Sequence, residues 1–167
     1  MSKKLVILNK EQIQQKIIRI AFEIYEEHYN EKEIILAALM PNGSKVTHRI
    51  AEELKKISPL KIKLLTVDVN KKNILDNEKP IDIAVVANNK VVIVVDDVLN
   101  SGTTMMYGVG LFLSAKLKAL QTAVLVNRDH TKFPIKTNYV GMSLSTTLQE
   151  HISVLLNGKK EEAVYLS

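Results

Sequence analysis

Residues 91–95 read Val-Val-Ile-Val-Val, five β-branched residues in succession with no polar residue among them. A strand with one face in water alternates polar and apolar positions. An unbroken run of this kind predicts a strand buried on both faces, as inside a parallel sheet. Covering both faces requires helices on each side, so the fold class is α/β, with a mainly parallel central sheet flanked by helices. Directly after the run come Asp96, Asp97, Val98, Leu99, Asn100, Ser101, Gly102, Thr103 and Thr104, then a helix-like stretch. Open α/β sheets bind ligands at the carboxyl ends of their strands. There Asp96 and Asp97 can accept hydrogen bonds from sugar hydroxyls. Asn100 to Thr104 offer hydroxyls and backbone N–H groups at a helix start, a cradle for phosphate.

The rest of the chain repeats the strand and helix alternation. Leu5 to Leu8 reads as a short strand, and Asn9 with Gln12 forms the capping-box spacing for a helix reaching about Tyr29, its inner face marked by Ile13, Ile17, Ile20 and Ile24. Glu33 to Met40 is a second buried strand, broken by Pro41-Asn42-Gly43-Ser44. A helix follows with Val46, Ile50, Leu54 and Ile57 inward and a stop at Ser58-Pro59. Leu60 to Val69 is a third strand. Asn70 to Pro80 is polar and predicts a mobile loop, and Ile81 to Ala87 predicts a further strand before the Asn88-Asn89 turn. Met106, Val109, Leu113 and Leu117 have helical spacing, weakened by Gly108 and Gly110, which suggest close packing. Thr122 to Val126 is an interior strand. Tyr139-Val140, Ile152 to Leu156, a turn at Asn157-Gly158 and Ala163 to Leu166 form a tail of shorter pieces.

The 167 residues fit a single domain, 1–167. No apolar run approaches a membrane span and the start is too short for a secretory signal, so a cytoplasmic protein is expected. With no cysteine and four scattered histidines there is no thiolate or imidazole metal spacing, and no metal-ligating residue is singled out. Any metal would be a hard ion such as Mg²⁺ held by oxygens and substrate phosphate. The formal charge of +5 suits a polyanionic partner, whether nucleic acid or a phosphorylated metabolite. An apolar strand ending in two aspartates also occurs in P-loop NTPases, but no G-x-x-x-x-G-K-[ST] loop is present, and no G-x-G-x-x-G fingerprint follows a strand. The bland alternative is a strand end and helix cap without a ligand.

Val92 to Thr104, an apolar strand, two acids, two apolar residues and a hydroxyl-rich turn around a glycine, resembles the phosphoribosyl pyrophosphate signature of the type I phosphoribosyltransferase family. Almost the whole chain resembles that family's branch of pyrimidine-operon attenuators that are also uracil phosphoribosyltransferases. The likeness extends through Val6-Ile7-Leu8, Ala123 to His130, and Phe133-Pro134-Ile135 leading to Asn138, Tyr139 and Gly141.

The resemblance implies the type I fold with a small hood of shorter strands. It also implies transfer of phosphoribosyl from phosphoribosyl pyrophosphate to a nucleobase, uracil in that branch, with Mg²⁺ carried mainly on the diphosphate. Asp96 and Asp97 would be the catalytic, ribose-binding pair, and Val98 to Thr104 would complete the ribose and 5′-phosphate site. Pro41, Asn42, Gly43 and Ser44 would form the pyrophosphate loop, with Lys45 as an available charge; plain strand-to-helix punctuation is the alternative. Arg128, Asp129 and His130 would lie beside the base, although a lone histidine is more often a loop residue. Asp68 would match an acid of the branch, or be a solvated strand end. Residues 70–80 would be the lid. At least a homodimer is implied.

Three departures stand out. Asn42 replaces an arginine of the pyrophosphate loop, the Ser101 to Thr104 turn lacks the usual arginine, and Asn127-Arg128-Asp129-His130 replaces Asp-Arg-Gly-His. The first two remove cationic donors from the phosphate end and the third adds a carboxylate near the base, which should weaken donor binding and alter base preference. The competing expectation is therefore a nucleotide-sensing regulator that binds pyrimidine-operon RNA with reduced or lost catalysis. A third is a ribose-phosphate binding protein without RNA.

Overall fold

The computed structural model describes residues 4–147, 150–157 and 162–167. Its first strand, β1 (Leu5–Asn9), runs directly into α1 (Lys10–His28). The Asn9 carboxamide oxygen accepts the Gln12 N–H and the Gln12 side chain accepts the Asn9 N–H, both at 2.9 Å, closing the expected capping box. Ile13, Ile17, Ile20 and Ile24 are fully buried along one stripe of α1. The chain continues through β2 (Glu33–Leu39), α2 (Gly43–Ile57) and β3 (Lys61–Asp68). After the β4 (Asn73–Asp76) and β5 (Lys79–Pro80) hairpin come α3 (Ile83–Ala87), β6 (Val91–Leu99), α4 (Thr103–Gly110), β7 (Ala119–Asn127) and β8 (Tyr139–Ser143). The last elements are β9 (Ile152–Leu155) and β10 (Ala163–Leu166).

The main sheet has the order β5-β4-β3-β2-β6-β7-β8. Strands β3, β2, β6, β7 and β8 are parallel, and only the β4–β5 edge is antiparallel. The opening run lies at its centre. Alternate residues of β6 divide between the two faces: Val91, Ile93 and Val95 pack with the α1 and α2 residues, whereas Val92 and Val94 pack with Ile83, Met105 and Phe112. Each fully buried side chain of this size contributes roughly 1.5–3 kcal/mol, which explains why no polar residue interrupts the run. Strands β1, β10 and β9 form a separate antiparallel sheet, the small hood. Among the described residues no helix is long and apolar enough to cross a membrane.

Three expected elements differ. Ile81 to Ala87 is not a strand: Asp82 Oδ1 accepts the Ala84 N–H at 2.9 Å and starts the short helix α3 at Ile83. The cap outweighs the β preference of so brief a segment. The helix after the phosphate turn stops at Gly110 instead of reaching Leu117, leaving Leu113 71% exposed. Residues 70–80, expected as a loop, carry the edge hairpin, with Lys72 at positive φ ahead of β4 and Asn77 and Glu78 at positive φ in the turn between β4 and β5. The expected turn at Asn157-Gly158 reaches beyond the described residues.

Candidate functional site

Strands β2 and β6 are neighbours at the centre of the sheet, but the chain leaves them in opposite directions, through α2 to β3 and through α4 to β7. Their carboxyl ends therefore border the crevice at the topological switch point, where open α/β sheets take ligands. A cavity of about 210 Å³ opens there. Met40, Pro41 and Asn42 line one side and Asp96 to Met105 the other. Two segments distant in the sequence thus meet as expected, with Gly43 and Ser44 already in the first turn of α2.

Gly43 makes this meeting possible. A Cβ at that position would sit 2.5 Å from the Val95 carbonyl oxygen and 3.1 Å from Asp96 Cα, so only glycine lets the loop lie against the end of β6. Gly102 is needed for conformation: its φ is +82°, and it starts α4 without a capping side chain. The open end of α4 therefore faces the cavity through Gly102, Thr103 and Thr104, with the partial positive charge of a helix N-terminus. Ser101 Oγ and Thr103 Oγ1 lie 2.8 Å apart. Hydroxyls and amides are thus gathered as an anion cradle.

Beside it, the Asp97 N–H donates to Asp96 Oδ1 at 2.9 Å and the Val98 N–H donates to Asp97 Oδ1 at 2.8 Å. Burial, reinforced by the charge of Asp97, pushes the Asp96 carboxyl up to about 8, and burial also raises Asp97. The folded pair therefore holds more protons than the unfolded chain between about pH 4 and pH 8. The contribution to stability is full below the unfolded value and is lost as pH rises through the folded one. Thermal stability is expected to fall from pH 6 to pH 9, and Asp96→Asn, which keeps an oxygen for the Asp97 N–H, should flatten the fall. Melting curves at the two pH values check this. Equal slopes in the two proteins would contradict it.

Around this cradle the other expected residues take different places. The Lys45 ammonium donates to Asn157 Oδ1 at 3.2 Å instead of facing the cavity. Asp68 accepts the Lys71 N–H in the turn after β3. Asn127 Nδ2 donates to Asp129 Oδ1 at 2.7 Å, holding Asp129 at positive φ, and both line a cavity of about 480 Å³ with Leu99, Ile135 and Lys136. His130 Nε2 bonds the Thr146 carbonyl. Arg128 turns toward the phosphate turn and the chain leading to β9, donating to Asn100 Oδ1 and Thr146 Oγ1.

The hood adds residues that sequence reasoning passed over. His151, Ile152, Ser153 and Val154 face Asn42, Asp97, Val98 and Asn100 across a cavity of about 230 Å³. No local pattern marks His151. Its placement comes from the pairing of β9 with β10 and of His151 with Ser167.

A family model described as the phosphoribosyl transferase domain matches residues 6–155. Among known proteins, the chain is 34% identical to the bifunctional protein PyrR of Bacillus pumilus, over 94% of this chain and 93% of that protein. It is 33% identical to the protein of that name from Clostridium acetobutylicum, over 97% and 96%. Among solved structures, a hypoxanthine-guanine phosphoribosyltransferase from Bacillus anthracis superposes with a TM-score of 0.67 at 25% identity, covering 83% of this chain and 81% of that one. The hypoxanthine phosphoribosyltransferase of Trypanosoma cruzi gives a TM-score of 0.74 at 13% identity, over 96% and 94%, a likeness of fold.

Proposed function

The chain belongs to the phosphoribosyl transferase domain family, and from that premise we propose that it joins uracil to the ribosyl group of phosphoribosyl pyrophosphate with release of pyrophosphate. The observation that carries the reading is the single crevice in which a buried carboxylate pair, a helix-end anion cradle and a second glycine-containing loop converge. These parts match, in order, a ribose, its 5′-phosphate and a diphosphate.

Asp96 and Asp97 accept hydrogen bonds from the ribose hydroxyls, the Asn100 to Thr104 turn holds the 5′-phosphate, and the Pro41 to Ser44 loop receives the diphosphate. The base enters from the hood side, between Val98 and His151. In the reaction the bond from C1 to the diphosphate oxygen breaks, that oxygen keeps the electron pair, and a base nitrogen forms the new bond to C1 as its proton passes to the released diphosphate or to solvent. Positive charge builds on the sugar as the old bond breaks. The carboxylate pair beneath the ring stabilises that charge, its ionised form favoured once ribose hydroxyls donate to it, and the hood excludes water that would otherwise capture the sugar.

Among the described residues no cluster of three or more potential ligands could cage a metal ion. Two adjacent carboxylates beside a phosphate cradle suit Mg²⁺ held mainly by diphosphate and ribose oxygens, with Asp96 and Asp97 as the protein oxygens at hand. When bound, the ion neutralises charge on the departing diphosphate. Among the described residues no arginine lines the cavity, so the backbone amides carry most of the protein's share of that task.

Turnover with uracil, guanine, hypoxanthine and xanthine, each with phosphoribosyl pyrophosphate and Mg²⁺, tests the reaction. Uridine monophosphate as the main product is expected. No turnover with any base would overturn it. The relatives named bifunctional, together with the +5 charge, favour RNA binding as a second role, and a homodimer or larger assembly accompanies this reading. Retention of one pyrimidine-operon hairpin over random RNA supports the second role, and equal retention of both contradicts it.

A further inference from the structure

Arg128 follows β7 and is held by acceptors from two separate parts of the chain. Its Nη1 donates to Asn100 Oδ1 at 3.0 Å in the phosphate turn, while Nε and Nη2 donate to Thr146 Oγ1 at 3.0 and 2.8 Å. Nη2 also reaches the carbonyls of Thr147 at 3.2 Å and Glu150 at 2.7 Å. The Arg128 N–H donates to the Leu99 carbonyl at 3.1 Å, so the residue is tied to β6 through its backbone as well.

These acceptors belong to segments more than 40 positions apart in the sequence. Asn100 opens the phosphate turn, and it lines both the donor cavity and the cavity under the hood. Thr146, Thr147 and Glu150 precede His151, the first hood residue facing that second cavity. The Glu150 carboxylate is itself occupied by the Thr147 N–H at 2.6 Å. Among the described residues no ion pair neutralises Arg128. The guanidinium is therefore used as a rigid, many-donor fork that a lysine ammonium cannot reproduce.

We propose that Arg128 is a positioning residue that fixes the hood above the donor site and so sets the gap into which the base must fit. The inference rests on the proposed transferase reading. It assigns Arg128 no contact with substrate: it acts through Asn100 on one side and through the segment carrying His151 on the other. Loosening the fork lets the two walls of the base cavity drift, while the carboxylate pair and the Ser101 to Thr104 cradle keep their own hydrogen bonds. A displacement near an ångström is enough to spoil reactive alignment.

The test is steady-state kinetics with each substrate varied in turn, after turnover by the unaltered protein has been established; failure at that first step would count against the transferase reading and not against Arg128. Arg128→Met is expected to raise the KM for the base about tenfold, with the KM for phosphoribosyl pyrophosphate within about threefold of its starting value. Arg128→Lys, which keeps the charge but not the fork, should fall between the two. Thr146→Val removes the acceptor shared by two donors with little change in shape. It should raise the base KM in the same direction, which keeps the test available if Arg128→Met does not fold. Two results would overturn the proposal. One is a base KM unchanged in the folded variants. The other is equal increases in both KM values that Arg128→Lys fully restores, which would mean that charge near the phosphate, and not the position of the hood, is what Arg128 supplies.

Discussion

Asp97→Asn is expected to lower kcat/KM for phosphoribosyl pyrophosphate by about a hundredfold, the scale of removing one preorganised electrostatic contact from a transition state. The residue is 8% exposed, its Oδ1 accepts the Val98 N–H, and burial already holds its carboxyl above the ordinary aspartate range. An asparagine fills the same volume and keeps the oxygen for Val98. It removes the negative charge that would face the ribose hydroxyls and the developing positive sugar. The fold should not suffer: with one buried charge gone, the variant should melt no lower than the parent at pH 8. Kinetics paired with a melting curve check the two halves separately. An active variant would mean that the ribose lies elsewhere, and a destabilised one would mean that Asp97 is a structural anchor.

Gly43→Ala is the second large effect, and it acts on stability and activity together. The added methyl would meet the Val95 carbonyl oxygen at 2.5 Å and Asp96 Cα at 3.1 Å, both backbone atoms of the central strand that cannot rotate aside. Overpacking of this kind costs about 1–3 kcal/mol, and each kcal/mol corresponds to a fall of roughly 2–4 °C in Tm for a chain of this size. Relief requires the start of α2 to move away from β6, which opens the crevice between the Pro41-Asn42 wall and the carboxylates. Turnover should drop at least about tenfold, because alignment is lost even where the protein remains folded. Gly110→Ala is the matched control. A methyl there meets nothing within 4 Å, so Tm should hold or rise slightly. Equal losses in the two variants would contradict the close approach assigned to Gly43.

The parts of the molecule legible in the sequence are those fixed by local chemistry or by an unbroken apolar run. Val91 to Val95 announced the central strand because every one of its side chains faces protein, and Asn9 with Gln12 announced α1 because the cap is made within four residues. The two loops of the candidate site were legible for a related reason: each directly follows a buried strand, so the sheet brings them together once β2 and β6 are neighbours. Helix α3 was misread because Ile83, Val85 and Val86 favour strand and five residues carry no helical period, leaving Asp82 as the sole signal. Helix α4 ends early where Gly108 and Gly110 weaken it, although Gly108 also shows the close approach expected, against Leu39. The Arg128 fork and the hood wall at His151 were out of reach. Both depend on residues about 20 or more positions apart, Arg128 bonded to Asn100 and His151 facing Asn42 across a cavity, that no local pattern encodes.

Calorimetric titration of Mg²⁺-phosphoribosyl pyrophosphate into the protein, with Asp97→Asn alongside, tests the central claim most directly, because it asks whether the switch-point crevice holds the donor independently of which base follows. Saturable binding to the parent chain, weakened at least about tenfold in Asp97→Asn, is the predicted result. Failure of the parent to bind the donor, or equal affinity in the two proteins, would contradict it.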